Sequence, residues 1–250
     1  MSVDRRMRLW TLLVEEADGS AVAVGHVGSL AVTTAGVDAC AVTVVLAASP
    51  RENLYASSRL AADLEEITTT LGEGPGIDAL AGGPALAGDL NDPHSRARWP
   101  TFAPAAVDYG VCAAFALPLQ VGGIRLGVLD LYRAAAGALD SGQLADVLLL
   151  ADTACALLLD TSAGRGADRS VEAARYGDQP EEAALHHPEV HQATGMIIAQ
   201  IGVTAAVALV RLRAYAYTHD RRLRDVAADV VARRLRFHPD PTTTGDHGDS

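Results

Sequence analysis

The period of apolar and polar positions changes several times along this 250-residue chain, and each change marks an element. Residues 112–121 and 124–133 are two β-type apolar runs joined by Gly122 and Gly123. A two-residue Gly-Gly turn tolerates positive φ at both positions and closes a hairpin. Residues 41–47 are apolar and β-branched while 53–58 are shorter and more polar, and Pro50 breaks the run between them, so the two read as a second antiparallel pair. Between the pairs the pattern predicts a tight loop at 71–76, a strand at 84–90 and a short helix at 99–109. The uncharged stretch 19–37 has the length of a membrane span, yet it holds four glycines, a histidine and several hydroxyls, and reads as a buried helix.

Asp140 or Ser141 caps a helix running to about residue 159, in which Leu144, Leu148, Ala151, Cys155 and Leu158 follow the alternating four-three spacing of a coiled-coil seam. Val147, Leu149, Leu150, Leu157 and Leu159 fall outside that seam, so the helix has apolar surface for its own sheet and for a partner chain. Two heptads fall short of a coiled coil, and a core helix of one subunit fits equally. Residues 161–185 form a polar linker containing Pro180, with a frayed helix around 171–176. From 189 to 237 the 3.6-residue period returns in three pieces, interrupted at 202–204 and 218–221, with Thr204 as an N-cap. Ala193, Met196, Ile197 and Ile201 line the first piece; Ala208, Leu209, Leu212, Tyr215 and Ala216 the second; Leu223, Val226, Ala227, Val230 and Val231 the third. Three short amphipathic helices make one bundle. The expected organisation is an N-terminal helix (1–19), an α+β domain with an antiparallel sheet flanked by helices (20–160), the linker (161–185), the three-helix domain (186–237) and a disordered tail (238–250).

With 49% apolar residues and a mean hydropathy of +0.16, the chain has ample material for a core. The net charge of −11 argues against a protein that coats nucleic acid or an anionic membrane, but its distribution changes that picture. From 186 to 238 eight arginines face four acids, a net +4, while the rest of the chain carries −15. All twenty basic residues are arginine. The absence of lysine excludes P-loop, Schiff-base and receiver-domain chemistry that needs an ammonium. Cys40, Cys112 and Cys155 are odd in number and widely separated, so no disulfide framework is expected. Arg5, Arg6 and Arg8 precede an apolar run that Glu15 and Glu16 cut short, too short for a signal segment, and the expected location is cytoplasmic with no membrane partner.

Candidate chemistry concentrates in the basic bundle. Arg211, Arg213, Arg221, Arg222 and Arg224 offer guanidinium forks for phosphate, and Tyr215 and Tyr217 offer planes for an unstacked base, which favours single-stranded or loop RNA over duplex. A solvated basic face with Tyr215 in the core is the alternative. Gly72 to Gly76 lacks the spacing of a phosphate-binding loop and reads as a structural turn. No nucleophile elbow or defensible Cys-His pairing occurs, so no catalytic residue is assigned. His187 and His191 stand four apart, but Pro188 lies between them with no cysteine nearby, and no metal site is assigned. Tyr109, Phe115 and Tyr132 are candidate walls of a small-ligand pocket, or ordinary core. Aromatics at 4% give no sign of haem or a bilin, and no cofactor is expected.

Two families resemble the two halves of the chain. Residues 186–237 resemble an ANTAR domain through Ala193-Thr194-Gly195-Met196, Leu212-Arg213-Ala214-Tyr215-Ala216 and Leu223-Arg224-Asp225-Val226-Ala227, one motif per helix and in order. Residues 20–160 resemble a GAF sensor domain of the actinobacterial type that precedes ANTAR, through Leu71-Gly72-Glu73-Gly74-Pro75-Gly76, Arg98-Trp99-Pro100 and Leu117-Pro118-Leu119 with its Gly-Gly hairpin. Two positions depart from these patterns: Gly76 stands where the sensor family usually has Cys, and Thr194 where Lys is frequent. The resemblance implies a dimeric transcription antitermination regulator that binds RNA carrying two adjacent hairpins with short loops, its sensor controlling the ANTAR domain. Arg213 and Tyr215 match the ANTAR motif, while Arg211, Arg221, Arg222 and Arg224 rest on charge and spacing alone. The rival reading is a small-molecule or redox sensor acting through protein contacts, its bundle a dimerisation element; an enzyme of unknown type is a third.

Overall fold

The computed structural model describes residues 2–45, 51–164 and 188–238, and divides into two compact units, 1–186 and 187–250. The linker core, its expected frayed helix at 171–176 and the tail beyond 238 lie outside the described residues.

The first unit runs α1 (Ser2–Glu16), α2 (Val24–Ala35), β1 (Ala39–Val44), β2 (Glu52–Ala56), α3 (Arg59–Leu71), α4 (Pro75–Gly82), β3 (Ala85–Ala87), α5 (Pro93–Arg98), α6 (Phe102–Asp108), β4 (Ala113–Val121), β5 (Ile124–Arg133) and α7 (Ser141–Gly164). Its five strands form one antiparallel sheet in the order β2-β1-β5-β4-β3. The Gly-Gly hairpin pairs Val121 with Ile124, and Gly122 alone of the two glycines takes a positive φ, +58°.

Both faces of this sheet are covered, and strand alternation sorts the side chains between them. Cys40, Val42, Val44, Phe115, Leu117, Leu119, Leu129 and Leu131 pack with side chains of α1, α2 and α7. Ala39, Ala41, Ala114, Ala116, Val128 and Tyr132 face the other way, towards Leu64, Ala79, Trp99, Phe102 and Ala106. Alanine on this second face is what admits the large Trp99 and Phe102 rings beneath it.

Three helices depart from the pattern reading. Helix α3 is carried by a Ser58 N-cap, whose side chain accepts from the Ala61 amide, and by a left-handed Gly72 at its end. The tight loop is confined to 72–74, because Pro75 and Gly76 already open α4. The helix expected at 99–109 shortens to α6, and a further helix, α5, precedes it; the two are parted where Trp99 comes before Pro100 and is driven out of the helical region (φ −130°, ψ 71°). The expected strand 84–90 shortens to β3, and the buried helix of 19–37 to α2.

Helix α7 starts in a reciprocal cap: Asp140 Oδ1 accepts from the Gly142 and Gln143 amides, and Gln143 Oε1 accepts from the Asp140 amide. Residues Ser141–Asp160 are long and apolar enough to cross a membrane, yet Val147, Leu150, Ala151, Ala154, Cys155 and Leu158 are buried in this unit's own core. Most of the expected seam is therefore spent within the subunit, leaving Leu148 and Leu159 exposed. Two of the N-terminal arginines dock α1 here. Arg8 Nη2 lies 2.6 Å from Asp146 Oδ2, and Arg5 Nη1 donates to the Gly142 carbonyl at 3.1 Å.

The second unit is α8 (Pro188–Ile201), α9 (Ala205–Thr218) and α10 (Leu223–Val231) around Val190, Ala193, Ile197, Ala208, Leu212, Ala216, Leu223, Val226, Ala227 and Val230. Gly202 (φ +67°) breaks the chain after α8, Thr204 caps α9, and the two helices turn through 107°.

A close approach in the sheet gives a direct test. A Cβ at Gly127 would fall 1.9 Å from the Thr43 carbonyl oxygen, backbone against backbone in a central pair of strands. Gly127→Ala should destabilise the first unit by about 3 kcal/mol or more, read as a lowered urea midpoint with unchanged slope.

Candidate nucleic-acid interface

Helix geometry decides which basic residues can act together. At about 100° per residue, positions two apart lie on opposite flanks and positions four apart on the same one. With Ala208, Leu212 and Ala216 buried at the centre of α9, Arg211, Tyr215 and His219 form one flank of that core stripe, and Arg213 and Tyr217 the other. The six residues expected to bind RNA therefore do not converge on one face. Arg211 and Tyr215 come together, Arg221 and Arg222 follow in the turn into α10, Arg224 stands in the first turn of α10, and Arg213 is set apart. The outward side of α9 is apolar, with Val207, Val210 and Tyr217 exposed.

Several of these cations are engaged within the bundle. Arg221 Nη2 donates to Asp229 Oδ2 at 2.8 Å, and Arg234 Nη2 lies 2.6 Å from Asp229 Oδ1. Hydrogen bonds from Arg221 and then Arg234 hold the Asp229 carboxyl below its ordinary range. Arg224 Nε is 3.6 Å from Asp225, and Arg211 Nη1 donates to the His238 carbonyl at 3.4 Å. Tyr215 is not an open platform either. His219 stacks on its ring at 3.9 Å and 12°, and Phe237 meets it edge-on at 5.7 Å.

In the first unit the three candidate pocket residues do not share a cavity wall. Tyr109 is 47% exposed at the end of α6, while Phe115 and Tyr132 are buried on opposite faces of the sheet. Register explains the split, since Phe115 pairs with Leu131 and Tyr132 with Ala114, one position out of phase. What the alanine-rich face holds instead is a buried ionic cluster. Arg51 Nη2 donates to Asp130 Oδ2 at 2.8 Å and to Glu65 Oε2 and Thr43 Oγ1 at 3.0 Å, and Tyr132 Oη donates to Glu65 Oε1 at 2.7 Å. Burial and the Glu65 charge push the Asp130 carboxyl well above its usual range, and burial raises the Tyr132 phenol. Gly76 makes room for the guanidinium: a Cβ there would lie 2.6 Å from both Arg51 Nη2 and Asp130 Oδ1. The space that a side chain at position 76 would take is thus filled by Arg51, reaching in from the sheet's edge.

The resemblance motifs of this unit have structural partners. Glu73 Oε1 accepts from the Thr101 and Phe102 amides, both at 2.8 Å, capping α6, and Asp78 Oδ2 accepts from Arg98 Nε and Trp99 Nε1. Residues 73–78 and 98–102 therefore meet as one junction, which takes in parts of both motifs. Burial holds the Cys40 thiol protonated, and burial with Asp152 pushes Cys155 up to about 11, so neither is a ready thiolate.

These features define a two-unit protein, an α+β sheet domain followed by a compact arginine-bearing helical domain. A family model described as the ANTAR domain matches residues 178–231, the span of that helical unit and the approach to it. The carboxy-terminal unit is an ANTAR domain, a regulatory rather than catalytic module that belongs to RNA-binding antitermination. No curated protein matches the chain. Among solved structures, the GAF domain of a phosphoenolpyruvate-protein phosphotransferase from Coxiella burnetii aligns with TM-score 0.45 and 15% identity, over 63% of this chain and 96% of that one. GAF3 from Slr1393 of Synechocystis sp. PCC6803, in its photoproduct state, aligns with TM-score 0.45 and 11% identity, over 56% and 93%.

The cluster makes two measurable demands. Arg51→Ala strands two buried carboxyls and should cost about 3–5 kcal/mol in chemical denaturation. Because Asp130 holds its proton more tightly folded than unfolded, its contribution is fully present at low pH and is lost as pH rises through its raised pKa. Asp130→Asn should remove that decline from a plot of stability against pH.

Proposed function

We propose that this protein is an RNA-binding transcription antitermination regulator, cytoplasmic and homodimeric, whose GAF-like amino-terminal unit is a sensor controlling how the ANTAR unit meets paired RNA hairpin loops. The observation that carries the reading is the overlap of the ANTAR match with residues 186–238, which carry a net +4 in a chain whose remainder carries −15. Two bundles in a dimer would engage two adjacent loops, the second contact becoming intramolecular once the first is made. An input that favours one dimer arrangement would then shift the population competent to bind. Tyr109, Phe115 and Tyr132 share no wall, so a small-molecule input would enter beside the Arg51 cluster, where buried polar groups give it something to recognise.

A second reading is favoured by the exposed apolar stripe of Val207, Val210 and Tyr217, which suits α9 to a protein contact and the bundle to dimerisation. Salt separates the two readings, because phosphate contacts release counterions and an apolar helix interface does not. Full-length protein titrated into a labelled two-hairpin RNA should give anisotropy-derived affinities that fall steeply with salt. Arg213→Ala and Arg222→Ala should each lower the slope of log K against log salt by about 1 without unfolding the bundle. Wild-type affinity and slope in both variants would remove them from the RNA site.

A further inference from the structure

We infer that the stacked Tyr215–His219 pair is a nucleobase-binding step, on which one unpaired base of an RNA loop lies against the outer face of the His219 imidazole. This rests on the RNA-binding reading and names where, within the bundle, a base is held.

Three aromatic groups stand in series along one flank of α9. Phe237 meets Tyr215 edge-on at 5.7 Å, and Tyr215 stacks on His219 at 3.9 Å with 12° between the rings. The imidazole is fixed from below: Nδ1 lies 2.9 Å from the Tyr215 carbonyl and 3.0 Å from Thr218 Oγ1, a hydroxyl that itself donates to the Ala214 carbonyl. With Nδ1 engaged there, Nε2 is left at the outer edge of the ring. His219 is exposed, and among the described residues no ring other than Tyr215 contacts it. The stack therefore ends at an open face, and a purine or pyrimidine laid on it continues the series at ring-stacking distance.

Preorganisation separates this step from Tyr217, which is 61% exposed on the far flank and whose side chain makes no hydrogen bond or ring contact among the described residues. A base stacking on Tyr217 must first order that side chain, whereas His219 is already held. The surroundings suit a loop nucleotide. Arg211 lies one turn before Tyr215 on the same flank, and Arg221 and Arg222 follow His219 by two and three residues, so cations precede and follow the step along the chain, with Arg221 also paired to Asp229. Asp220, exposed beside His219, disfavours a phosphate at the step itself and leaves it to the uncharged base. The outer Nε2 can hydrogen-bond an edge of that base or of its neighbour.

The test uses full-length protein and a two-hairpin RNA carrying 2-aminopurine at each loop position in turn, its fluorescence being quenched by stacking. Wild-type protein should bind and strongly quench one loop position. His219→Ala should bind about 10-fold more weakly and lose the quenching at that position. His219→Phe, which keeps a ring but not the Nδ1 bonds, should restore the quenching, and circular dichroism of both variants should match wild type. His219→Ala with undiminished affinity and quenching would overturn the base step and leave the RNA reading standing. Failure of the wild-type protein to bind RNA at low salt would overturn both.

Discussion

One guanidinium fixes the arrangement of the amino-terminal unit. Arg51, immediately before β2, reaches across the sheet to Asp130 on β5, 79 residues away, and to Glu65 on α3, while Thr43 on β1 closes the same nitrogen. Two buried carboxyls without that cation would repel and could be kept only by protonation, so edge strand, central strand and overlying helix are tied to a single charge. Space for it comes from what the neighbouring positions lack: alanines on this face of β1 and β4, and no side chain on Gly76. A core of larger aliphatic residues would pack this face more densely and leave no place for an ionic cluster. The opposite face, with its leucines, valines and Phe115, carries the ordinary hydrophobic stabilisation against α1, α2 and α7.

How far this could be read from the sequence depended on whether a feature is local. The β4–β5 hairpin announces itself through two apolar runs and a two-glycine turn, and the α7 cap through Asp140 and Gln143, because the deciding contacts lie within a few residues. Helix α3 was also written locally, in Ser58, Leu60, Leu64 and Gly72, but three consecutive threonines weaken its helical appearance. The grouping of Tyr109, Phe115 and Tyr132 failed for a non-local reason. Which face a strand residue takes depends on register with its neighbour, and a one-residue offset sends Phe115 and Tyr132 to opposite sides. Arg51 gives no hint of burial at all, since an arginine after Pro50 reads as surface until its distant acids are in place.

In the carboxy-terminal unit the three helices, their breaks and their core positions were legible because each is a short amphipathic repeat with a marked end, Gly202 and Thr204 between the first two and Asp220 at φ +48° before the third. The division of Arg211 from Arg213 was legible as well, since a spacing of two on a helix means opposite flanks. Charge counting hid it by treating the segment as one patch. His219 was missed because a lone histidine at a helix end reads as polarity; only the ring geometry shows that it covers Tyr215 and takes over the exposed position.

The two units thus divide their physics. One is acidic, sheet-based and organised around a buried charge. The other is small and basic, with its cations spread over two flanks and a turn, an arrangement that under the proposed function would have RNA wrap a helix end rather than lie on a plane. The measurement that tests this most directly is hydrogen–deuterium exchange of the full chain with and without a two-hairpin RNA at saturating concentration. Added protection concentrated between residues 205 and 224 is the predicted result. Protection confined to residues 2–164, or none anywhere, would contradict it.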